Sequence, residues 1–258
     1  MNKKERIFLF LVVGLIGIYL IITAVVSIIN PYKKTIYLGV GTKVYVNGNN
    51  ITISDEDIKI NKHNVKIYFD KKIINGYVLT EEESSTGYEN NLHAYNKNGE
   101  YLSFYSSLIA FTKDLPIKFI DIENEYTYDI GLIRKYLIED DIDMDSVQLD
   151  YLIISTFDLD DDEEFESIYS IGLIENNKDY DSKVIMLKDD EYYIISEEMS
   201  EYIDDQDVTT LGLLGIMDMN NDNNYEFVIE ESYSEYGPNN YYIYNFDGND
   251  FINIEEDE

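Results

Sequence analysis

The stretch "GIMDMNNDNNYEFVIEE", residues 215–231, breaks an apolar, strand-like run with oxygen-bearing side chains on alternate positions, Asp218, Asn220 and Asp222. Glu226 then opens a second apolar run. The same offsets occur 60 residues earlier in "TFDLDDDEEFESIYSIG", residues 156–172, as Asp158, Asp160, Asp162 and Glu166. Apolar segments precede both loops, "YLIISTF" in one copy and "LGLLGIM" in the other, and a strand and then a hairpin signal follow each. A supersecondary unit returning at a fixed interval is the signature of a repeat architecture.

The spacing also carries chemistry. A hard divalent cation takes six to eight oxygens at about 2.3–2.6 Å, and a tightly coiled loop turns alternate side chains inward. Positions one, three and five then supply carboxylate or amide oxygens, and position nine closes the shell. Four such groups without a cation repel one another by some kcal/mol at an effective dielectric near ~20. The loops are not EF-hands, because position twelve is Tyr169 in one and Ile229 in the other. Asx-rich loops also arise without any ion, since Asp and Asn cap turns through their own backbone. The candidate metal ligands are therefore Asp158, Asp160, Asp162, Glu166, Asp218, Asn220, Asp222 and Glu226, with Ca2+ as the expected ion.

These two segments resemble the FG-GAP/VCBS repeats of integrin-α-like β-propellers, whose loop reads Asp-x-Asp-x-Asp-Gly-x-x-Asp/Glu between two strands of a blade. The likeness covers residues 150–195 and 210–254 and implies the eight ligands named above. At position six, where the family has Gly, this chain has Glu163 and Asn223. Asn accepts left-handed backbone readily and Glu does so at a cost. "IKFIDIENEYTYDIG" repeats the offsets in degenerate form at Asp121, Glu123, Glu125 and Asp129, but Glu fits the crowded positions three and five poorly, and the alternative reading of Asp129 is a helix cap.

Around the repeats, turn dipeptides punctuate alternating apolar segments. Asn47-Gly48, Asn75-Gly76, Asn98-Gly99, Asp189-Asp190 and Asp247-Gly248 each predict a hairpin. "DIGLIRKYLIEDD", residues 129–141, predicts a helix with Leu132, Ile133, Tyr136 and Leu137 on one face. "SEEMSEYIDDQD", residues 196–207, reads as a short helix or a solvated linker.

Composition sets the outer bounds. The chain has 258 residues, 52 acidic against 19 basic, for a formal net charge of −33, which excludes nucleic acid as a partner and favours cations. The absence of cysteine excludes disulfides, thiolate zinc sites and cysteine nucleophiles. Twenty-five tyrosines supply too much apolar surface for acidic disorder. The short basic tail "MNKKER", residues 1–6, precedes an apolar run of 23 residues from 7 to 29. That length spans roughly 30 Å of hydrocarbon as a helix. Lysine and arginine in the tail predict a cytoplasmic N-terminus and an exported bulk. The alternative is a signal peptide cleaved after Ser27, giving a secreted chain.

Catalytic signatures are missing. His63 and His93 have no metal-ligand spacing, and no nucleophile elbow, P-loop or dinucleotide fingerprint occurs. The expectation is a mainly β protein: a transmembrane anchor (7–29), an N-terminal β-hairpin region (30–115) and a repeat region (116–258) of propeller-blade-like antiparallel units. Those units are too few to close a propeller. Its expected role is non-enzymatic, as a membrane-anchored extracellular calcium-binding module for surface binding or adhesion. An extracellular protein or glycan is the expected partner. The alternatives are an exported enzyme or accessory with a site in residues 33–115, or a membrane-tethered sensor.

Overall fold

Tyr-, Ile- and Val-rich segments alternating with Gly-, Asn- and Asp-containing turns favour antiparallel sheet, and the described residues build three of them. The computed structural model describes residues 34–38, 42–54, 63–69, 72–82, 91–103, 109–112, 115–139, 142, 145, 147–160, 162–175, 179–189, 191–201, 209–233 and 239–254. The predicted anchor and its basic tail lie outside the described residues. No helix among the described residues is long and apolar enough to cross a membrane.

The N-terminal sheet has eight strands. They are β1 (Thr35–Leu38), β2 (Thr42–Asn47), β3 (Asn50–Ser54), β4 (His63–Phe69), β5 (Lys72–Glu82), β6 (Asn91–Asn96), β7 (Tyr101–Ser103) and β8 (Ile109–Thr112). Their spatial order is β3-β2-β1-β8-β4-β5-β6-β7. Two short strands follow, β9 (Lys118–Phe119) and β10 (Glu123–Thr127), and then a 3-10 turn (Ile130–Leu132) leading into helix α1 (Arg134–Glu139). The first repeat unit is a four-stranded meander of β11 (Val147–Phe157), β12 (Glu166–Glu175), β13 (Asp179–Lys188) and β14 (Glu191–Glu201), with β10 added beside β11. The second is the meander β15 (Thr209–Asp218), β16 (Glu226–Tyr233), β17 (Asn240–Phe246) and β18 (Phe251–Asn253), with β9 added beside β15.

The three sheets stack with the second unit in the middle. One face of β15–β17, through Met217, Val228, Tyr241 and Ile243, meets Ile36, Leu38, Val44 and Phe111 of the N-terminal sheet. Its other face, through Leu211, Ile216, Phe227 and Ile229, meets Phe157, Ile168, Val184 and Met186 of the first unit. A sheet covered on both sides needs apolar residues on both pleat faces. This explains why "FVI" in β16 is a continuous run rather than an alternation. No sheet closes on itself among the described residues.

The hairpins expected at Gly48, Gly99, Asp189 and Gly248 are present, all with positive φ at those residues. The first is centred one residue later than the dipeptide suggested, on Gly48-Asn49, because Asn47 and Asn50 form the closing pair. Asn75-Gly76 does not turn. β4 and β5 already pair at Phe69 and Lys72, so the dipeptide lies inside β5. There the register shifts between Val65 and Lys66, and Gly76, at φ 88°, absorbs a β-bulge. Residues 196–201 are strand, not helix or linker: they continue β14 along β13. Asp129 caps the segment as expected, its carboxylate accepting from Gly131 N–H at 3.0 Å, but the segment opens as a 3-10 turn and the α-helix is confined to Arg134–Glu139, with Ile133 and Leu137 buried.

Glu230 of β16 gives the fold a pH dependence. Burial pushes its carboxyl up to about 7, against hydrogen bonds from Tyr241 Oη (3.1 Å) and Asn239 Nδ2 (2.6 Å) that favour the ionised form. A carboxyl whose folded value is raised from 4.5 to about 7 stabilises fully below 4.5, and that contribution is lost as pH rises through 7. Glu230→Gln is therefore expected to match the wild type near pH 4.5 and to exceed it by on the order of 2 kcal/mol at pH 8. Urea melts of both proteins at the two pH values check this; parallel curves would refute it.

Candidate metal centre

Each acidic loop joins the first and second strands of its meander, Phe157 to Glu166 between β11 and β12 and Asp218 to Glu226 between β15 and β16. The two loops share four backbone-to-carboxylate bonds. In the first, Asp158 Oδ1 accepts from Asp162 N–H (3.2 Å) and Oδ2 from Glu163 N–H (3.1 Å), while Asp162 Oδ1 accepts from Glu164 N–H (2.8 Å). Glu166 Oε2 reaches back to Leu159 N–H at 2.9 Å. In the second, Asp218 accepts from Asp222 and Asn223 N–H, both at 3.1 Å, and Asp222 Oδ1 accepts from Asn224 N–H at 2.9 Å. Glu226 Oε2 accepts from Met219 N–H at 2.7 Å. Position six is left-handed in both, Glu163 and Asn223 each at φ 70°. Asn223 suits that conformation and Glu163 adopts it at a cost, so both loops hold the geometry that a glycine would favour.

All eight expected ligands are described, and among the described residues one group of three carboxylates converges, in the first loop. Asp158, Asp160 and Asp162 bring carboxylate oxygens within 4.8 Å of one another, close enough to share one cation. In the second loop Asp218 and Glu226 are buried, at 0% and 1% exposure, and Asn220 Oδ1 accepts from Asp222 N–H at 3.0 Å. Hard oxygens in this number fit a calcium-type ion.

Charge balance separates the loops. Lys188, at the end of β13, hydrogen-bonds Glu166 Oε1 and stands 3.8 Å from Asp160 Oδ2. The Glu166 bond raises the Lys188 pKa, so an ammonium is fixed inside the first loop. The β16–β17 ladder instead places Asn245 opposite Glu226, and Asn245 Oδ1 is buried without a hydrogen-bond partner. Lys118 reaches the second loop only from its rim, donating to Asn223 Oδ1 at 2.9 Å and lying 4.0 Å from Asp218 Oδ2. Burial, with Asp222 and Asp218 adding to it, pushes the Glu226 carboxyl up to about 8.

Lys188 and Asn245 were not among the sequence candidates. Aligning the turns at Asp189 and Asp247 pairs Lys188 with Phe246, whereas the ladders make Asn245 its counterpart. Register follows hairpin loop length, and the link from β12 to β13 is shorter than that from β16 to β17. The third copy does not form a loop. Glu123 and Glu125 lie in β10, paired with Thr156 and Ile154 of β11, and Asp129 is occupied as the cap of the 3-10 turn. No protein-family model, no curated protein and no solved structure matches the chain.

Proposed function

We propose that the chain is a membrane-anchored, extracellular, calcium-binding module of the FG-GAP/VCBS type. On this reading it acts without catalysis, in surface binding or adhesion. The repetition of one loop geometry at a 60-residue interval carries the reading, since each copy opens a four-stranded meander as a propeller blade would. The second loop is the calcium site proper. It combines two buried carboxylates with the unpartnered Asn245 oxygen and has no ammonium at its centre. The ion's work is structural: it neutralises Asp218, Asp222 and Glu226 and ties β15 to β16.

Extracellular modules hold calcium at Kd values of about 10⁻⁴–10⁻³ M. With free calcium tenfold above Kd, linkage gives about 1.4 kcal/mol per site. For a chain of this size that raises Tm by about 3–6 °C. Thermal melts of the detergent-solubilised full chain in calcium, magnesium and chelator are expected to show that rise with calcium and a smaller one with magnesium. Asp218→Ala and Asp222→Ala are each expected to abolish it. Coincident calcium and chelator melts of the wild type would reduce the loops to self-capped turns.

A further inference from the structure

A groove of about 1000 Å³ runs beside the second loop, between the N-terminal sheet and the second repeat unit. One wall is the sequence-continuous stretch Asn49 to Ile53, and the facing wall includes Ile252 and Ile254 at the β18 end. Successive strand residues point to opposite faces, so five consecutive residues can line one groove only if it follows the strand's edge. β3 is indeed the terminal strand of the eight-stranded sheet, and β18 is terminal in its own. In the β2–β3 hairpin the closing pair Asn47 and Asn50 exchanges both of its bonds. Alternation then turns the N–H and C=O of Ile51 and Ile53 away from β2, into the groove.

Among the described residues, nothing defends this edge. Exposed edges are ordinarily blunted by charge, proline, bulges or extreme shortness. Among the other terminal strands, β10 carries Glu123 and Glu125, β14 carries Glu191, Glu197, Glu198 and Glu201, and β9 has two residues. β3 reads "NITIS", with no charge, no proline and no register shift against β2. The groove lining includes Asp222 and Asp247 but neither lysine nor arginine.

We propose that this groove binds an extended, basic polypeptide segment as an added strand on β3. The inference rests on the surface-binding function proposed above and names its partner. β3 is five residues long, or about 16 Å, which pairs with four or five residues of the partner. Backbone bonds to Ile51 and Ile53 give affinity irrespective of sequence, and Asp247, which lies outside the ion site, selects for lysine or arginine at a flank. An acidic strand is excluded by the chain's charge of −33.

The probe is a synthetic peptide of roughly ten residues, alternating valine and threonine between lysine flanks. It is titrated into the detergent-solubilised full chain, with amide hydrogen exchange as the readout. Binding is expected to slow exchange at Ile51 and Ile53 about tenfold or more. Thr52→Lys, an exposed position, is expected to weaken binding about tenfold by placing a like charge on the edge. The same peptide N-methylated at alternate residues is expected not to bind. Binding that leaves Ile51 and Ile53 exchange unchanged, equal affinity for the N-methylated peptide, or occupation of the groove by a dextran oligomer instead would overturn the proposal. Each titration is run in calcium and in chelator. Strand addition without a calcium-dependent melt removes the ion and keeps the groove, whereas a calcium-dependent melt without strand addition removes the groove alone.

Discussion

Gly172→Ala is expected to lower Tm by roughly 8–14 °C, corresponding to about 3–4 kcal/mol. Gly172 lies in β12 between Tyr151 of β11 and Ser182 of β13. A Cβ there would fall well inside 3.0 Å of the Tyr151 ring and of Tyr180 Oη. Neither neighbour can step aside freely. Tyr151 Oη shares a 2.9 Å hydrogen bond with Ser182 Oγ and donates to the Leu211 carbonyl at 3.1 Å, while Ser182 Oγ accepts from Leu211 N–H at 2.8 Å. Burial pushes the Tyr151 hydroxyl up to about 12, so it remains a donor across the working pH range. Tyr180 Oη is held in turn by Asp150 Oδ2 at 2.8 Å. The methyl group would thus displace the side chains that join the first repeat sheet to the second, leaving buried polar atoms unpaired. Tyr151→Leu in the same chain removes the ring's share of the clash, leaves that with Tyr180 Oη, and should recover part of the loss. A double-mutant cycle then reads the coupling directly. A shift below 2 °C for Gly172→Ala would mean that the two meanders slide apart without penalty.

Features that depend on a few neighbouring residues were legible in the sequence. Gly and Asp at positive φ locate four hairpins, Asp129 locates the helix start, and the alternating oxygens locate both loops together with the left-handed backbone at Glu163 and Asn223. Features that depend on which strands meet were not legible. Asn75-Gly76 has the chemistry of a turn, yet the ladder between β4 and β5 uses the same positive φ for a bulge. Residues 196–201 alternate weakly and are rich in Glu, and only the length of β13 beside them extends the strand so far. β9 and β10 separate in the same way: Lys118 and Phe119 pair with the second unit, and Glu123 to Thr127 with the first. One acidic segment therefore serves two sheets. No local pattern in "IKFIDIENEYTYDIG" records that division, which is why it looked like a third loop.

Lys188→Met is expected to destabilise the chain by about 3 kcal/mol in chelator and to make it more responsive to calcium than the wild type. The Glu166 side chain is only 6% exposed and that of Lys188 only 23%, so removing the ammonium leaves a buried carboxylate with no cation. The attraction to Asp160, 3.8 Å away, adds little, because that carboxylate is more than half exposed and solvent screens it. Methionine keeps the stem's apolar volume, so the loss reflects charge rather than packing. What remains is a loop with the backbone geometry of its partner at residues 218–226, three carboxylates within 4.8 Å and no internal counter-charge. Such a loop is in the condition proposed for the second one, and calcium should restore what the lysine supplied. Melting curves of wild type and Lys188→Met, each with Asp218→Ala to silence the second loop, isolate the effect. In that background the wild-type first loop is expected to ignore calcium, and the variant to regain most of its lost Tm. If both ignore calcium, the first loop is a lysine-closed turn with no latent ion site. If both respond alike, Lys188 does not occupy the cation's place. A tethered ammonium in one repeat and an ion in the other would then be two solutions to one electrostatic problem. The residue facing Glu166 or Glu226 across the ladder would decide between them.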